Sequence, residues 1–319
     1  MTVISASRRT DIPAFYSEWL LNRVRAGFCH WTNPFSGQVY RVGLGPEDVT
    51  AFVFWTRNPR PLLRHLPELD ARGYRYTFHF TLTGYGRPLE THNPDPQAAI
   101  AAFRTLALHA GPEFVVWRYD PIVISTRTPL AYHRQRFAEL AAQLEGSTRR
   151  CTYSFLDFYG KTRRNLAAVT AQHGYHFREP TVLERQDLLE DLSAIAEQHG
   201  MTLVSCCEED YTTIPRVYRG SCVDLDLLSR LTGQPALALK PHPTREHCGC
   251  VRSVDIGSYD TCLFGCTYCY ATNSRSAAQR QRAAHDPHDT ILNRPERLRG
   301  QNLDALIDAE RELIPVRLL

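Results

Sequence analysis

Three cysteines in the segment Cys262-Leu-Phe-Gly-Cys266-Thr-Tyr-Cys269, at spacings of four and three, can turn three thiolates from one tight loop toward a single inorganic body. A structural zinc normally takes a fourth protein ligand, whereas a 4Fe–4S cube held by three thiolates keeps one iron open for another molecule. Of the ten cysteines in the chain, Cys29 and Cys151 stand alone and eight fall between Cys206 and Cys269. In a reducing compartment such crowding points to metal or redox chemistry rather than to structural disulfides. The other five are Cys206, Cys207, Cys222, Cys248 and Cys250. Cys248-Gly-Cys250 has too little chain to bridge comfortably to itself, yet Gly249 lets both thiols face one centre. Joined by Cys222 and one of Cys206 or Cys207, they would complete an auxiliary iron–sulfur cluster or a tetrahedral zinc site, the other alternative being no second metal.

These thiols need a scaffold. Apolar and aromatic runs at residues 3–7, 51–55, 76–82, 114–119, 152–156 and 202–205 read as strands. Between them, residues 15–27, 96–110, 131–144, 161–173 and 186–199 carry apolar positions at helical spacing. Strict alternation predicts βαβ units around a mostly parallel sheet. With no glycine-rich dinucleotide turn after the first strand, a partial (β/α) barrel of the TIM type is expected, with a Cys-rich C-terminal cluster-binding region. The body is expected over residues 1–215, and the Cys-rich part over residues 216–319. In such folds the carboxyl ends of the strands form the site face, which would gather the polar residues that follow each strand. Residues 235–243, with three prolines, read as a linker.

The composition is that of an ordinary globular protein: 43% hydrophobic, 22% charged, formal charge +3. That charge is too small to make nucleic acid the default partner, and arginine outnumbers lysine so heavily that single arginines carry little weight; Lys161 and Lys240 are the only lysines. No apolar run reaches the roughly 18 residues that span a bilayer. Arg8, Arg9 and Asp11 interrupt a signal-peptide reading of the start, so no membrane partner and a cytoplasmic location are expected.

The three-cysteine motif, with Tyr268 before its last cysteine, resembles that of radical S-adenosylmethionine (SAM) enzymes. The resemblance implies a 4Fe–4S cluster on Cys262, Cys266 and Cys269. SAM would chelate the open iron, Tyr268 would pack beside its adenine, and a flavodoxin- or ferredoxin-type reductant would supply the electron that releases a 5′-deoxyadenosyl radical. The wider chain resembles the bacterial family called domain of unknown function 1848. That likeness rests on Ser5-Ala-Ser-Arg-Arg-Thr-Asp-Ile-Pro13, Val53-Phe-Trp-Thr-Arg-Asn-Pro59, Trp117-Arg-Tyr-Asp-Pro121 and the tail from Cys248 to Ala271. It implies no substrate. Radical SAM enzymes usually carry the motif near the N-terminus, so its position here implies a circular permutation. Residues 252–257 would then be the family's first strand, 259–270 its cluster loop and 271–282 its first helix, with 3–7 alongside as the second strand. In place of the usual glycine-rich turn, Asp11 would accept from the SAM ammonium, and Arg8 or Arg9 would pair with its carboxylate.

Other signals have bland readings. His79 in a strand reads as a hydrogen-bonded core residue, His242 and His247 as loop residues, and Arg118 with Asp120 as an ion pair on one strand face. Tyr85, Tyr159 and Tyr211 are rim aromatics that would alternatively serve a radical relay. From Ser274 to Gly300 six arginines face three acidic residues, which keeps nucleic-acid repair or modification as the alternative substrate class. The competing function is a zinc-stabilised, non-redox barrel that binds a nucleic acid or metabolite through the same thiols.

Overall fold

The computed structural model describes residues 1–208, 213–234 and 237–307. The chain runs β1 (Thr2–Ala6), α1 (Ile12–Phe15), α2 (Ser17–Ala26), β2 (Phe28–Thr32), β3 (Val39–Gly43), β4 (Val49–Thr56), α3 (Arg60–Leu63), α4 (Leu66–Ala71), β5 (Tyr76–Thr81) and α5 (Pro96–Ala110). It continues through β6 (Val115–Ile122), α6 (Leu130–Leu144), β7 (Arg150–Phe155), α7 (Gly160–His173), α8 (Val182–Gln198), β8 (Thr202–Ser205), β9 (Val217–Arg219), α9 (Leu225–Thr232), β10 (Val254–Asp255) and α10 (Arg275–Ala283). Eight strands form one sheet in the order β10-β1-β4-β5-β6-β7-β8-β9, and every neighbouring pair is parallel. β2 and β3 form a separate antiparallel hairpin.

The α/β rhythm follows from burial on both faces. Parallel strands covered on both sides need continuous apolar runs, and β4, Val-Thr-Ala-Phe-Val-Phe-Trp-Thr, is buried at every position but Trp55. Because side chains alternate along a strand, Phe52, Phe54, Phe78, Phe80, Trp117, Tyr119 and Tyr153 go to one face and pack with Phe103 of α5, Phe137 of α6 and Leu192 of α8. The opposite face carries Val3, Ala51 and Val53, which pack with Val223, Leu228, Cys250 and Val251. The Cys-rich segment, together with the helix Leu225–Thr232, therefore covers the face opposite α5, α6 and α8.

Helix ends are set by local chemistry. Asp95 caps α5 by accepting from the backbone N–H groups of Gln97 and Ala98, and Pro96 opens it. Thr181 and Glu184 make a reciprocal capping box at α8.

Several expectations change. The helix expected over 15–27 is divided at Tyr16, where the backbone leaves helical geometry between α1 and α2. The hairpin, β9 and α9 are additional elements, the last capped by Asp224. The linker expected over 235–243 is not a free tether in its described part, because Leu237 and Leu239 pack onto the Val3 cluster and Pro241 bridges Val251. Pro235 and Tyr211 lie outside the described residues. No helix among the described residues is long and apolar enough to cross a membrane.

A buried histidine in this fold has a measurable consequence. His133 on α6 is fully buried between the Tyr119 hydroxyl (2.9 Å) and the Val123 carbonyl (3.0 Å), and burial pushes its pKa down from 6.5 to about 4. The unfolded chain therefore binds a proton near its ordinary value that the folded chain refuses, so stability is full above pH 6.5 and falls as the pH drops toward 4. Between pH 7.5 and 5, urea unfolding is expected to show a loss roughly 2 kcal/mol larger in the wild type than in His133→Gln. Equal losses would contradict the assignment.

Candidate functional site

The loop carrying Cys262, Cys266 and Cys269 leaves β10 at the carboxyl end of the sheet, next to β1. Its entry is fixed by Asp255, whose carboxylate accepts from Ser5 Oγ (2.5 Å), Ser7 Oγ (2.7 Å), the Arg8 amide (2.8 Å) and the Gly257 amide (3.0 Å). Gly257 is required there, since a Cβ would sit 2.0 Å from Ser7 Oγ. Further along, the Tyr16 hydroxyl donates to the Thr261 carbonyl (2.8 Å), the His92 amide to Phe264 (3.2 Å), and the Thr267 amide to Leu89 (3.0 Å). The end of β1, Tyr16 between α1 and α2, and the stretch after β5 thus hold the loop.

Beneath it lies a buried polar network. Glu90 accepts from Arg57 Nη1 (2.7 Å), Thr83 Oγ1 (2.5 Å) and the Tyr268 hydroxyl, which itself accepts from Arg57 Nη2 (2.7 Å). Burial pulls the Arg57 guanidinium down, yet nearby Cys266 and Glu90 hold it charged, well above its ordinary value. Burial pushes the Cys266 thiol up to about 12, partly opposed by Arg57, and raises Cys262 well above its usual range. Asp11 accepts from the amides of Ala14 (2.9 Å) and Arg57 (2.7 Å), and burial pushes its carboxyl up to about 7. Its charge reaches Cys262.

The three thiols feel one another electrostatically, and among the described residues no hydrogen bond joins their sulfurs. Three buried polar atoms on the surrounding segments have no partner: Thr10 Oγ1, Thr272 Oγ1 and Nδ2 of Asn93, whose Oδ1 lies 3.8 Å from Cys266 Sγ. Among the described residues, no group of three or more His, Cys, Asp or Glu side chains is arranged around a single metal ion.

The expected SAM contacts separate. Arg8 turns away from the three-cysteine loop: its guanidinium lies 5.1 Å from the Trp55 ring centroid and donates to Cys250 Sγ (3.7 Å). Arg9 pairs with Asp255 (3.4 Å) between the rings of Trp31 and Tyr259. Asp11 is the one of the three whose side chain is felt at a loop cysteine, Cys262, while Arg9 stays at the loop's first residue and the Arg8 carbonyl accepts from the Tyr270 hydroxyl (2.9 Å). Tyr268, expected against adenine, is 8% exposed and spends its hydroxyl on Glu90 and Arg57. Arg57 and Glu90 are the residues that sequence reasoning missed as a pair. The single hint was that both follow strands whose ends face the site.

Cys206 and Cys222 of the second set are 3.3 Å apart. Arg118 ion-pairs with Asp120 as expected and also reaches Cys222 Sγ (3.1 Å), while His79 Nε2 meets the Cys222 carbonyl (2.7 Å). Tyr85 is buried, donating to Pro121 and accepting from Val123, whereas Tyr159 is half exposed. Within 274–300, Arg282 lies over Tyr16, Arg294 pairs with Asp289, Arg297 donates to Gly37 and Arg299 pairs with Glu296. Most of that basic stretch is therefore engaged within the chain.

Compared with known protein families, residues 3–271 match the family described as "Domain of unknown function (DUF1848)". The chain belongs to this family. Its matched region runs from β1 past the last of the three loop cysteines, so the DUF1848 unit includes both the sheet and the thiols. No curated protein matches the chain.

Proposed function

We propose that this DUF1848 protein is a radical SAM enzyme. In this reading Cys262, Cys266 and Cys269 hold a 4Fe–4S cluster, and the sheet is a circularly permuted partial barrel with β10 as its first strand and β1 as its second. The observation that carries the reading is the loop itself: three thiols without sulfur–sulfur hydrogen bonds, set at the carboxyl end of a parallel sheet among unpartnered buried polar atoms. Three thiols from one loop, with no fourth protein ligand beside them among the described residues, suit a cluster with one iron left open better than a closed single-ion site. When bound and given one electron by an external reductant, the cluster and SAM would together supply a carbon-centred radical able to abstract hydrogen from a substrate.

The chain's own residues do the rest. Arg57 sets a fixed positive charge beside Cys266 and lowers the cost of a thiolate there, while Glu90 keeps that guanidinium oriented. Asp11 fixes the turn after β1 to the end of β4 by its two backbone hydrogen bonds, bringing a carboxyl whose charge is felt at Cys262. Asn93, Thr10 and Thr272 offer polar atoms free to meet a ligand. Phe264 and Tyr268 are buried within the loop while its three cysteines are half-buried, so the thiols stay reachable from the open side.

Anaerobic reduction of the iron-reconstituted chain with SAM tests this: release of 5′-deoxyadenosine is expected, and its absence from iron-replete protein would contradict the proposal. The substrate class we favour is a small molecule or peptide, because the arginines of 274–300 are largely spent on internal partners.

A further inference from the structure

Opposite the helices, the sheet holds a second gathering of thiols that the reading above does not use. Cys206 follows β8, Cys222 follows β9, and Cys248 and Cys250 precede β10, so three separate stretches of chain deliver them. Their sulfurs are neighbours. Cys206 Sγ and Cys222 Sγ are 3.3 Å apart, and Cys250 lies close enough to feel both Cys222 and Cys248 electrostatically.

Each sulfur also has a polar neighbour from the protein. Arg118 donates from Nη1 to Cys222 (3.1 Å) and from Nη2 to Cys206 (3.7 Å). Arg8 Nη2 (3.7 Å) and the Val223 amide (3.4 Å) donate to Cys250, and the Thr244 hydroxyl lies 3.5 Å from Cys248. A neutral thiol is a weak acceptor, so two guanidiniums aimed at sulfur are matched to thiolates. Crowded thiolates repel one another unless a metal shares their charge, and Arg118 already spends part of its charge on Asp120.

The arrangement of the four thiols decides what kind of metal body fits. Among the described residues no three such side chains surround one ion position. A body with more than one iron can take thiolates that do not converge on a single ion. We infer that Cys206, Cys222, Cys248 and Cys250 ligate a second iron–sulfur centre, with Arg8 and Arg118 donating hydrogen bonds to its sulfurs. Such donors raise the reduction potential of the centre they surround. It would also fasten the β8–β9 edge of the sheet to the segment entering β10.

The test uses the full chain carrying Cys262→Ala, Cys266→Ala and Cys269→Ala together, so that retained metal cannot come from the first loop and the two claims fail separately. After anaerobic reconstitution with iron and sulfide, this variant is expected to hold iron and acid-labile sulfide in equal amounts, at least about two of each per chain. Either one zinc per chain without labile sulfide, or no metal at all, would overturn the inference. Should the triple variant fail to fold, Cys248→Ser with Cys250→Ser in the otherwise unaltered chain gives the same answer. Its iron content should fall below that of the wild type, and an unchanged content would overturn the assignment.

Discussion

Glu90→Ala is expected to destabilise the folded chain by about 3–5 kcal/mol, because it strands the Arg57 cation in a buried site. The Glu90 side chain is 4% exposed and serves three donors: Arg57, Thr83 and the Tyr268 hydroxyl. Losing it leaves Arg57 with the Tyr268 hydroxyl as its remaining side-chain hydrogen bond and leaves Thr83 Oγ1 without its acceptor. A buried pair replaced as a unit by apolar residues of similar size costs far less than a pair broken on one side. The double variant Arg57→Met with Glu90→Leu should therefore recover most of the lost stability in urea unfolding. If the double variant is as damaged as the sum of its singles, the two side chains are not coupled in the way described. A second readout separates stability from the site: the recovered double variant should still bind iron poorly at the three-cysteine loop, because Cys266 has lost its neighbouring cation.

Cys266→Ala is expected to remove SAM cleavage by more than about 100-fold, since even loss of a group that merely orients a metal ligand costs 10–100-fold. Cys29→Ala is the matched control. Cys29 is fully buried in the main core on β2, where burial pushes its thiol up to about 12, and it contacts neither cysteine set. The control should lose some stability to the cavity and keep 5′-deoxyadenosine release per folded chain. Equal loss in both variants would mean that the defect is a folding defect and that Cys266 has no special part in it.

Sequence pattern revealed the scaffold better than the site. α5 matched its expected limits because every boundary signal is local: Asp95 as cap, Pro96 at the first turn and Gly111 just beyond. Asp11 illustrates the limit of the same logic. Its side chain caps a separate short helix, α1, so the helix begins before residue 15 and is interrupted at Tyr16, a capping role that only the fold reveals. The Arg57–Glu90–Tyr268 network was out of reach because its members are 33 and 211 residues apart, and no period of helix or strand relates them. The sequence puts Arg8 and Asp11 at one ligand in different roles, yet three residues of turn send one side chain toward Cys250 and the other toward Cys262. Cysteine spacing is legible only where it is local: the short loop of 262–269 and the Cys248–Cys250 pair can be read from the chain, whereas the 3.3 Å approach of Cys206 to Cys222, 16 residues apart, cannot.

The most direct test of the central claim compares metal content in two anaerobically purified chains, the wild type and Cys262→Ala, Cys266→Ala, Cys269→Ala, reconstituted side by side with iron and sulfide. The triple variant should contain about four fewer iron atoms and about four fewer acid-labile sulfides per chain than the wild type. Identical contents, or a difference of one zinc without sulfide, would contradict a 4Fe–4S cluster on these three thiols.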